Sequence, residues 1–312
     1  MDGDAQNPTR RKLLQCMAVA GAGTLWTVSG GVPSPFRLGF GGEAHAAAPA
    51  SDFSFLQISD SHIGFHGDAN PDSGATLQEA VGRIAQLPQR PAMILHTGDV
   101  SHTSKEEQFA AAEDMLKTAG LDIHYVPGEH DTIGDNGAAF FARFAKGVKT
   151  GGWYSFDQGG VHFVALVNVV NLKANGLGRL GPAQLEWLEK DLKGKSASTP
   201  VVVYAHMPLW PVYPDWGWGT EDATKAFTYM KRFGSVTVLN GHIHQVVQKI
   251  EGNLSFHTAM STAYPQPAPG QGSGPGPLKL PTEQLGAALG IRSLDYRPGQ
   301  PGVAIADRNL AT

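Results

Sequence analysis

The chain of 312 residues holds a single cysteine, Cys16. One thiol excludes disulfides within the chain and excludes thiolate-rich zinc sites, so any metal here must be taken by imidazole and carboxylate. A surplus of charge is also missing: 24 Lys and Arg stand against 28 Asp and Glu, a formal net charge of −4. A mildly acidic chain has no general electrostatic reason to bind nucleic acid or an anionic membrane, and no nucleic-acid partner is expected. No run beyond the N-terminus reaches the ~18 apolar residues that a membrane span needs, so no membrane is expected for the mature form. Internal repeats are absent too. With 41% hydrophobic and 17% charged residues the chain can nevertheless bury a full core, and it is not a disordered polymer.

What is present includes twelve histidines, and the stretch Leu95-His96-Thr97-Gly98-Asp99-Val100 gives them an organising partner. The apolar run Pro91-Ala92-Met93-Ile94-Leu95 before it places Asp99 just past the carboxyl end of a strand, where open α/β sheets bind ligands. Four further stretches repeat the layout, an apolar run breaking into Gly, Pro, Asp or His: Phe53–His62, Ile123–Asp131, Val201–His206 and Val236–His244. Five strand ends carrying Asp, His and Glu point to one convergent polar site. Asp60 and His62, two apart, would share a face if their segment were extended.

Between these strands the pattern alternates with helices. Helices are expected at Ala75–Leu87, from a capping box at Ser104 and Glu107 through Lys117, at Ala138–Lys146, from Gly181 to Leu192 with Pro182 near its start, and near Asp222–Phe233. Phe109, Ala112, Met115 and Leu116 form a core stripe at helical spacing. Two strands, Trp153–Phe156 and Val161–Val167, meet at a turn through Gln158-Gly159-Gly160. Residues Pro265 to Pro277 are mostly Pro, Gly, Gln and Ser, a composition that cannot supply a core and reads as a surface loop. Leu294–Leu310, a C-terminal extension, has the pattern of a hairpin around Arg297-Pro298-Gly299.

At the N-terminus, Thr9-Arg10-Arg11-Lys12-Leu13-Leu14-Gln15 precedes a moderately apolar run from Met17 to Val28 and, later, Ala44-His45-Ala46. Paired arginines, a short apolar core and a small-x-small cleavage site resemble a twin-arginine export signal, and a disordered basic tail is the plain alternative. Gln15 before Cys16 speaks against a lipoprotein anchor. The resemblance implies a signal peptide at 1–46, a single domain at 47–312, the twin-arginine export machinery as a partner, export in the folded state, and a periplasmic or secreted location.

Taken singly the site motifs are weak, since a lone HxH or GD pair recurs by chance. In order, Asp60-Ser61-His62, Gly98-Asp99, Gly128-Glu129-His130-Asp131, His206 and Gly241-His242-Ile243-His244 resemble the calcineurin-like binuclear metallophosphoesterases over roughly residues 53–264. Within that family the chain is similar to the single-domain class that includes cyclic-nucleotide phosphodiesterases. The resemblance implies an α/β fold, a four-layer α-β-β-α sandwich of two mixed sheets flanked by helices. It implies one metal held by Asp60, His62, Asp99 and His244, and a second held by Asp99, Glu129, His206 and His242. Two cations ~3.5–4 Å apart repel unless a shared anion separates them, which gives Asp99 its bridging role, and together they lower the pKa of a bridging water. The hydroxide so formed would attack phosphorus in line, with His130 binding a phosphoryl oxygen or protonating the leaving group. Imidazole and carboxylate ligands suit Fe, Mn or Zn alike.

The chain departs from the family at Glu129, where an asparagine is usual. Glutamate is longer and adds a negative charge beside two cations, which would draw it in as a ligand, or it could fold away and leave the second site weak. The implied function is an exported, metal-dependent phosphoesterase acting on a small phosphodiester or phosphomonoester. The alternative is a non-catalytic metal- or anion-binding protein on the same fold, converted by Glu129. His96 and His124 lie in strands and read as core or surface residues; His66 and His102 flank candidate ligands and read equally as substrate contacts or loop residues. Asn168 and Asn171 are expected to position a loop, and Trp210, Tyr213, Trp216 and Trp218 form either a lid over a planar substrate or packing at the rim.

Export is expected to depend on Arg10 and Arg11 together. Replacing both by Lys keeps the charge and removes the paired guanidinium groups; cell fractionation should then find the chain retained inside, and normal periplasmic levels would sink the signal assignment.

Overall fold

The computed structural model describes residues 24–29, 32–37, 52–173, 176–300 and 302–311. Arg10, Arg11, Cys16 and the Ala44-His45-Ala46 stretch lie outside them. The chain divides into two units after Ala46. In the first, β1 (Thr24–Ser29) pairs antiparallel with β2 (Val32–Arg37).

The second unit is built on β3 (Phe53–Ile58), β4 (Met93–His96) and β5 (Asp122–Tyr125), which run parallel, with β12 (Gly290–Tyr296) antiparallel beside β3 and β13 (Val303–Asn309) antiparallel at the edge. The other sheet, in the order β10-β11-β9-β8-β7-β6, comprises β6 (Tyr154–Gln158), β7 (Val161–Ala165), β8 (Val201–Tyr204), β9 (Val236–Asn240), β10 (Gln248–Glu251) and β11 (Leu254–Thr258). In it β7, β8, β9 and β11 are parallel, while β6 and β10 are antiparallel edges. Both sheets are mixed, as the α/β sandwich requires.

The period of two along each strand creates the layers. On β3, Phe55 packs with Met93 and Leu95 of β4 and with Val202 and Tyr204 of β8, filling the space between the sheets. Leu56 and Ile58 point the other way, onto α1 (Ser73–Ile84), α2 (Glu106–Lys117) and α3 (Ala138–Phe144) through Leu77, Phe109 and Phe140. On β8, Val201 and Val203 face α4 (Pro182–Lys193) and α5 (Ala223–Met230) through Leu188, Leu192, Ala226 and Met230. Strands apolar on both faces are those of a sheet covered on both sides, which is why β8 reads as an unbroken hydrophobic run. A last short helix, α6 (Thr282–Ala288), precedes β12.

Local chemistry adjusts several expected boundaries. Helix α1 begins before Ala75 because Asp72 accepts from the Ala75 N–H at 3.0 Å and caps it. The capping box expected at Ser104 and Glu107 does not form. Lys105 is the N-cap of α2, and the Ser104 hydroxyl instead donates to the His130 carbonyl at 2.7 Å and accepts from the Ile133 N–H at 2.9 Å. A long-range loop tie has displaced a local cap. The terminal hairpin is no appendage: β12 inserts between β3 and β13 and completes the five-stranded sheet.

Arg292 on β12 is 1% exposed and reaches Asp307, its cross-strand partner on β13, through Nε at 2.8 Å and Nη2 at 3.1 Å. Its remaining donors go to Gln57 Oε1 and the Thr258 carbonyl, which joins the two sheets. Asp307→Ala strands a buried guanidinium and is expected to cost about 3–5 kcal/mol in chemical denaturation. A cost below about 1 kcal/mol would mean that this pair does not secure the edge.

Candidate metal centre

Five loops leave the carboxyl ends of β3, β4, β5, β8 and β9 and bring every candidate ligand to one place, across both sheets. The loops are closely interlocked. The N–H groups of Asp60 and His62 donate to the Gly98 and Asp99 carbonyls at 3.0 and 2.8 Å, so β3 and β4 stay registered beyond their formal ends. Asp60 and His62 do not share a face through extended backbone, as their spacing first suggests. Both are left-handed, with φ of +54° and +40°, and Asp99, His242 and His244 share that conformation. Non-glycine residues there are uncommon and costly, and in folded proteins such positions gather at functional sites. Two glycines permit the crowding: a Cβ on Gly128 would lie 2.0 Å from Asp99 Oδ1, and one on Gly241 would lie 2.5 Å from Asp60 Oδ2.

The donor atoms form five overlapping groups, among them Asp60 with His62 and His244, and Glu129 with His206 and His242; the others join Asp60 with Asp99 and His206, Asp99 with Glu129 and His130, and His62 with His102 and His130. In the first, His244 Nε2 lies 3.2 Å from Asp60 Oδ1 and 3.3 Å from His62 Nε2. In the second, His206 Nε2 lies 2.7 Å from Glu129 Oε2 and His242 Nδ1 lies 2.8 Å from Glu129 Oε1. Asp99 Oδ2 stands between them, 3.4 Å from His62 Nε2 and 3.3 Å from His206 Nε2. Glu129 therefore points into the site rather than away from it.

These groups fit a cation better than they fit one another. Glu129 Oε2, His206 Nε2 and both ring nitrogens of His242 are buried without a hydrogen-bond partner among the described residues, although two of the contacts are short. Close approach out of line for N–H···O is the arrangement of lone pairs converging on a common point, and such buried polar atoms call for a partner. The far nitrogens are anchored as metal-ligating histidines require: His206 Nδ1 donates to the Thr97 carbonyl at 2.7 Å and His244 Nδ1 to the Tyr264 carbonyl at 2.5 Å.

The electrostatics agree. Burial alone would raise the Glu129 carboxyl, but the imidazoles of His242 and His206 outweigh it and hold the group well below the usual carboxylate range. Burial likewise opposes ionisation of Asp60, and His244 and His206 reverse it. His206, disfavoured as a cation by burial, is pushed well up by Asp99 and Glu129. Concentrated negative charge at this end of the sheets demands positive charge, from protons or from metal ions.

Residues to which the sequence assigned no role complete the frame. Asp131, fully buried, accepts from the N–H groups of Val100, Ser101 and Gly128 at 2.8–3.0 Å and from the Ser101 hydroxyl, clamping the Asp99 loop to the Glu129 loop. Its position directly after Gly-Glu-His was the only hint. Tyr264 lies over His62 with 4.8 Å between ring centroids and places its hydroxyl 3.2 Å from His62 Nε2. Nothing in its sequence surroundings marks it.

The centre opens into a cavity of about 430 Å³. His130 and His102 line it, stacked at 4.9 Å, and His130 Nδ1 donates to the His102 carbonyl at 2.7 Å. The loop at 265–277 is more than surface: Gln266, Pro275, Gly276 and Pro277 form one wall, and Gln266 donates to the His242 carbonyl at 2.8 Å. Of the aromatic group, Trp216 lines the cavity and packs against Tyr213, while Trp210 and Trp218 are buried as packing. His66 takes no part in the cavity and bonds the Pro71 carbonyl. His96 is buried against the Ser61 hydroxyl, and His124 stacks on Phe156. Asn168 donates to the Met207 carbonyl and Thr220, and Asn171 pairs with Asn136, so both hold loops. A larger cavity of about 640 Å³ adjoins at Leu172 and Gly176 and contains none of the candidate ligands.

Known proteins resemble this chain in family and in fold. The family model described as calcineurin-like phosphoesterase matches residues 53–246. A 3',5'-cyclic-nucleotide phosphodiesterase of Nostoc sp. is 24% identical over 68% of this chain and 79% of its own length. A 3',5'-cyclic adenosine monophosphate phosphodiesterase of Pseudomonas aeruginosa is 26% identical over 70% of this chain and 80% of its own. Among solved structures, a dimetal phosphatase from Danio rerio superposes with a TM-score of 0.64 at 14% identity, covering 84% of this chain and 97% of that one, a likeness of fold.

Two substitutions are expected to separate the clusters. Asp99→Asn removes the charge shared between them and should abolish uptake of one metal equivalent, whereas Glu129→Asn should only loosen retention of one. Metal analysis after dialysis of both purified variants reads this; two tightly held metals in Asp99→Asn would refute a shared carboxylate.

Proposed function

We propose, from the premise that this chain is a member of the calcineurin-like phosphoesterase family, that it is an exported binuclear enzyme cleaving a small organic phosphodiester. The position of Asp99 Oδ2 between His62 and His206 carries the reading, since one carboxylate reaching both clusters is what two neighbouring cations need. Asp60, His62, Asp99 and His244 would hold one ion and Asp99, Glu129, His206 and His242 the other, with Fe, Mn and Zn all suited to such ligands. The bound ions would supply Lewis-acid activation of water and neutralise charge on the phosphoryl oxygens.

The chain's own residues do the rest. A water oxygen forms the new bond to phosphorus, the ester P–O bond breaks, and the departing alcohol needs a proton. His130 faces the cavity with Nδ1 committed to the His102 carbonyl, so its Nε2 is the nitrogen free to bind a phosphoryl oxygen or protonate the leaving group. No Lys or Arg lines the cavity among the described residues; Phe65, Leu172, Met207, Trp216, Pro275 and Pro277 give it apolar walls. Such walls suit an organic substituent on the ester rather than further anionic groups. The names of the Nostoc and Pseudomonas relatives favour a diester over a monoester. Export rests on the Arg10-Arg11 segment and would place the enzyme in the periplasm or outside the cell.

A second reading, metal or anion capture without turnover, is favoured by one observation: the Glu129 carboxylate lies within 2.7–2.8 Å of both His206 and His242, adding negative charge where an anionic ester must approach.

Bound metal and turnover on bis-p-nitrophenyl phosphate and p-nitrophenyl phosphate, measured on one preparation, distinguish these readings. Faster cleavage of the diester is expected, and two metals without turnover of either ester would favour capture. His130→Ala should lower kcat by about 10²–10⁴. Its metal content should be unchanged; a parallel loss of metal would make His130 a ligand instead.

A further inference from the structure

The histidines of the centre differ in how their second ring nitrogen is held. His206 and His244 donate Nδ1–H to the carbonyls of Thr97 and Tyr264. His62 has no such carbonyl. Its Nε2 lies in the centre, 3.4 Å from Asp99 Oδ2 and 3.3 Å from His244 Nε2, so that nitrogen is the one presented to a cation. The ring must then carry its proton on Nδ1, and His62 is 1% exposed, so this N–H has no water to turn to and needs an acceptor. Among the described residues the only hydrogen-bond partner of His62 Nδ1 is the Nδ1 of His102, at 3.4 Å.

That contact constrains both rings. If His62 donates, His102 Nδ1 must hold a lone pair, and the proton of a neutral His102 sits on Nε2, which has no protein partner among the described residues and belongs to a ring that lines the cavity. The His102 ring is itself held by packing, stacked on His130 at 4.9 Å and edge-on to Phe65 at 5.1 Å. Its backbone carbonyl meanwhile accepts from His130. One residue thus governs two rings: with its side chain the tautomer of His62, with its carbonyl the tautomer of His130.

We propose that His102 is a positioning residue that accepts the His62 Nδ1–H and so fixes His62 with Nε2 toward the first metal; the inference rests on the binuclear reading above. An imidazole acceptor here is adjustable in a way that a carbonyl is not, because a substitution can remove it without touching the backbone. His102→Phe keeps the ring that stacks on His130 and Phe65 and deletes the acceptor. His102→Asn deletes the ring and restores an oxygen at the place of Nδ1.

Mn²⁺ affinity, measured by competition with a chelator, is therefore expected to fall about 10–100-fold for one of the two ions in His102→Phe, the usual loss when a ligand's hydrogen-bond partner is removed, and to recover to within a few-fold in His102→Asn. Thermal melts confirm that both variants are folded. Equal affinities in wild type and His102→Phe, or equal losses in both variants, would overturn the assignment. In the wild type loaded with diamagnetic Zn²⁺, long-range ¹H–¹⁵N spectra of labelled histidine should show His62 protonated at Nδ1 and His102 at Nε2; the opposite tautomers overturn the assignment. A wild-type chain that binds neither Mn²⁺ nor Zn²⁺ would refute the binuclear reading, and with it the metal-directed role of His102.

Discussion

The structure depends on keeping three carboxylates together at the ends of its sheets. Asp60 and Asp99 are almost wholly buried, and the Glu129 side chain is 26% exposed. An isolated carboxylate in such surroundings would protonate rather than stay charged. Here the imidazoles of His206, His242 and His244 surround them, and backbone N–H groups of His130 and His242 donate to Asp99 Oδ1 and Asp60. Concentrated charge of one sign is thus balanced by groups that can give way to a cation, which distinguishes a binding site from an ordinary buried ion pair.

The sandwich makes this balance possible by separating two tasks. The strand interiors are mostly packing, with alternate residues filling the intersheet layer and the helix layers. The loops carry the chemistry, and their backbone is strained where the ligands sit, five of them left-handed. Such strain persists only where surrounding contacts overdetermine it, and Asp131, accepting from two loops at once, is one of the residues that do so.

Glu129 gives the site its individuality. Its two oxygens each approach a different histidine, so the carboxylate spans His206 and His242. Under the proposed reading, a longer, charged side chain in this place would strengthen the hold on cations while reducing the pull on an anionic ester. The apolar lining of the cavity, formed in part by Trp216 and the Pro275–Pro277 segment, would then take a larger share in recognising substrate.

By itself the sequence determined which strands are covered on both faces, where each ends, and which Asp, His and Glu follow those ends, because burial and strand termination are written locally in apolar runs and the Gly and Pro that break them. It also revealed the one departure, Glu129. Tertiary structure alone decided the rest. The left-handed backbone at Asp60 and His62 arises from hydrogen bonds to a second loop nearly forty residues away, and Ser104 left its expected cap to bond the His130 loop. Tyr264 reaches His62, and β12 reaches β3, from 200 or more residues further along the chain, and no local pattern encodes a contact of that span. His102 shows the limit most plainly: its neighbours in sequence made it a loop residue or a substrate contact, and only the packing of three imidazoles revealed the nitrogen that it faces.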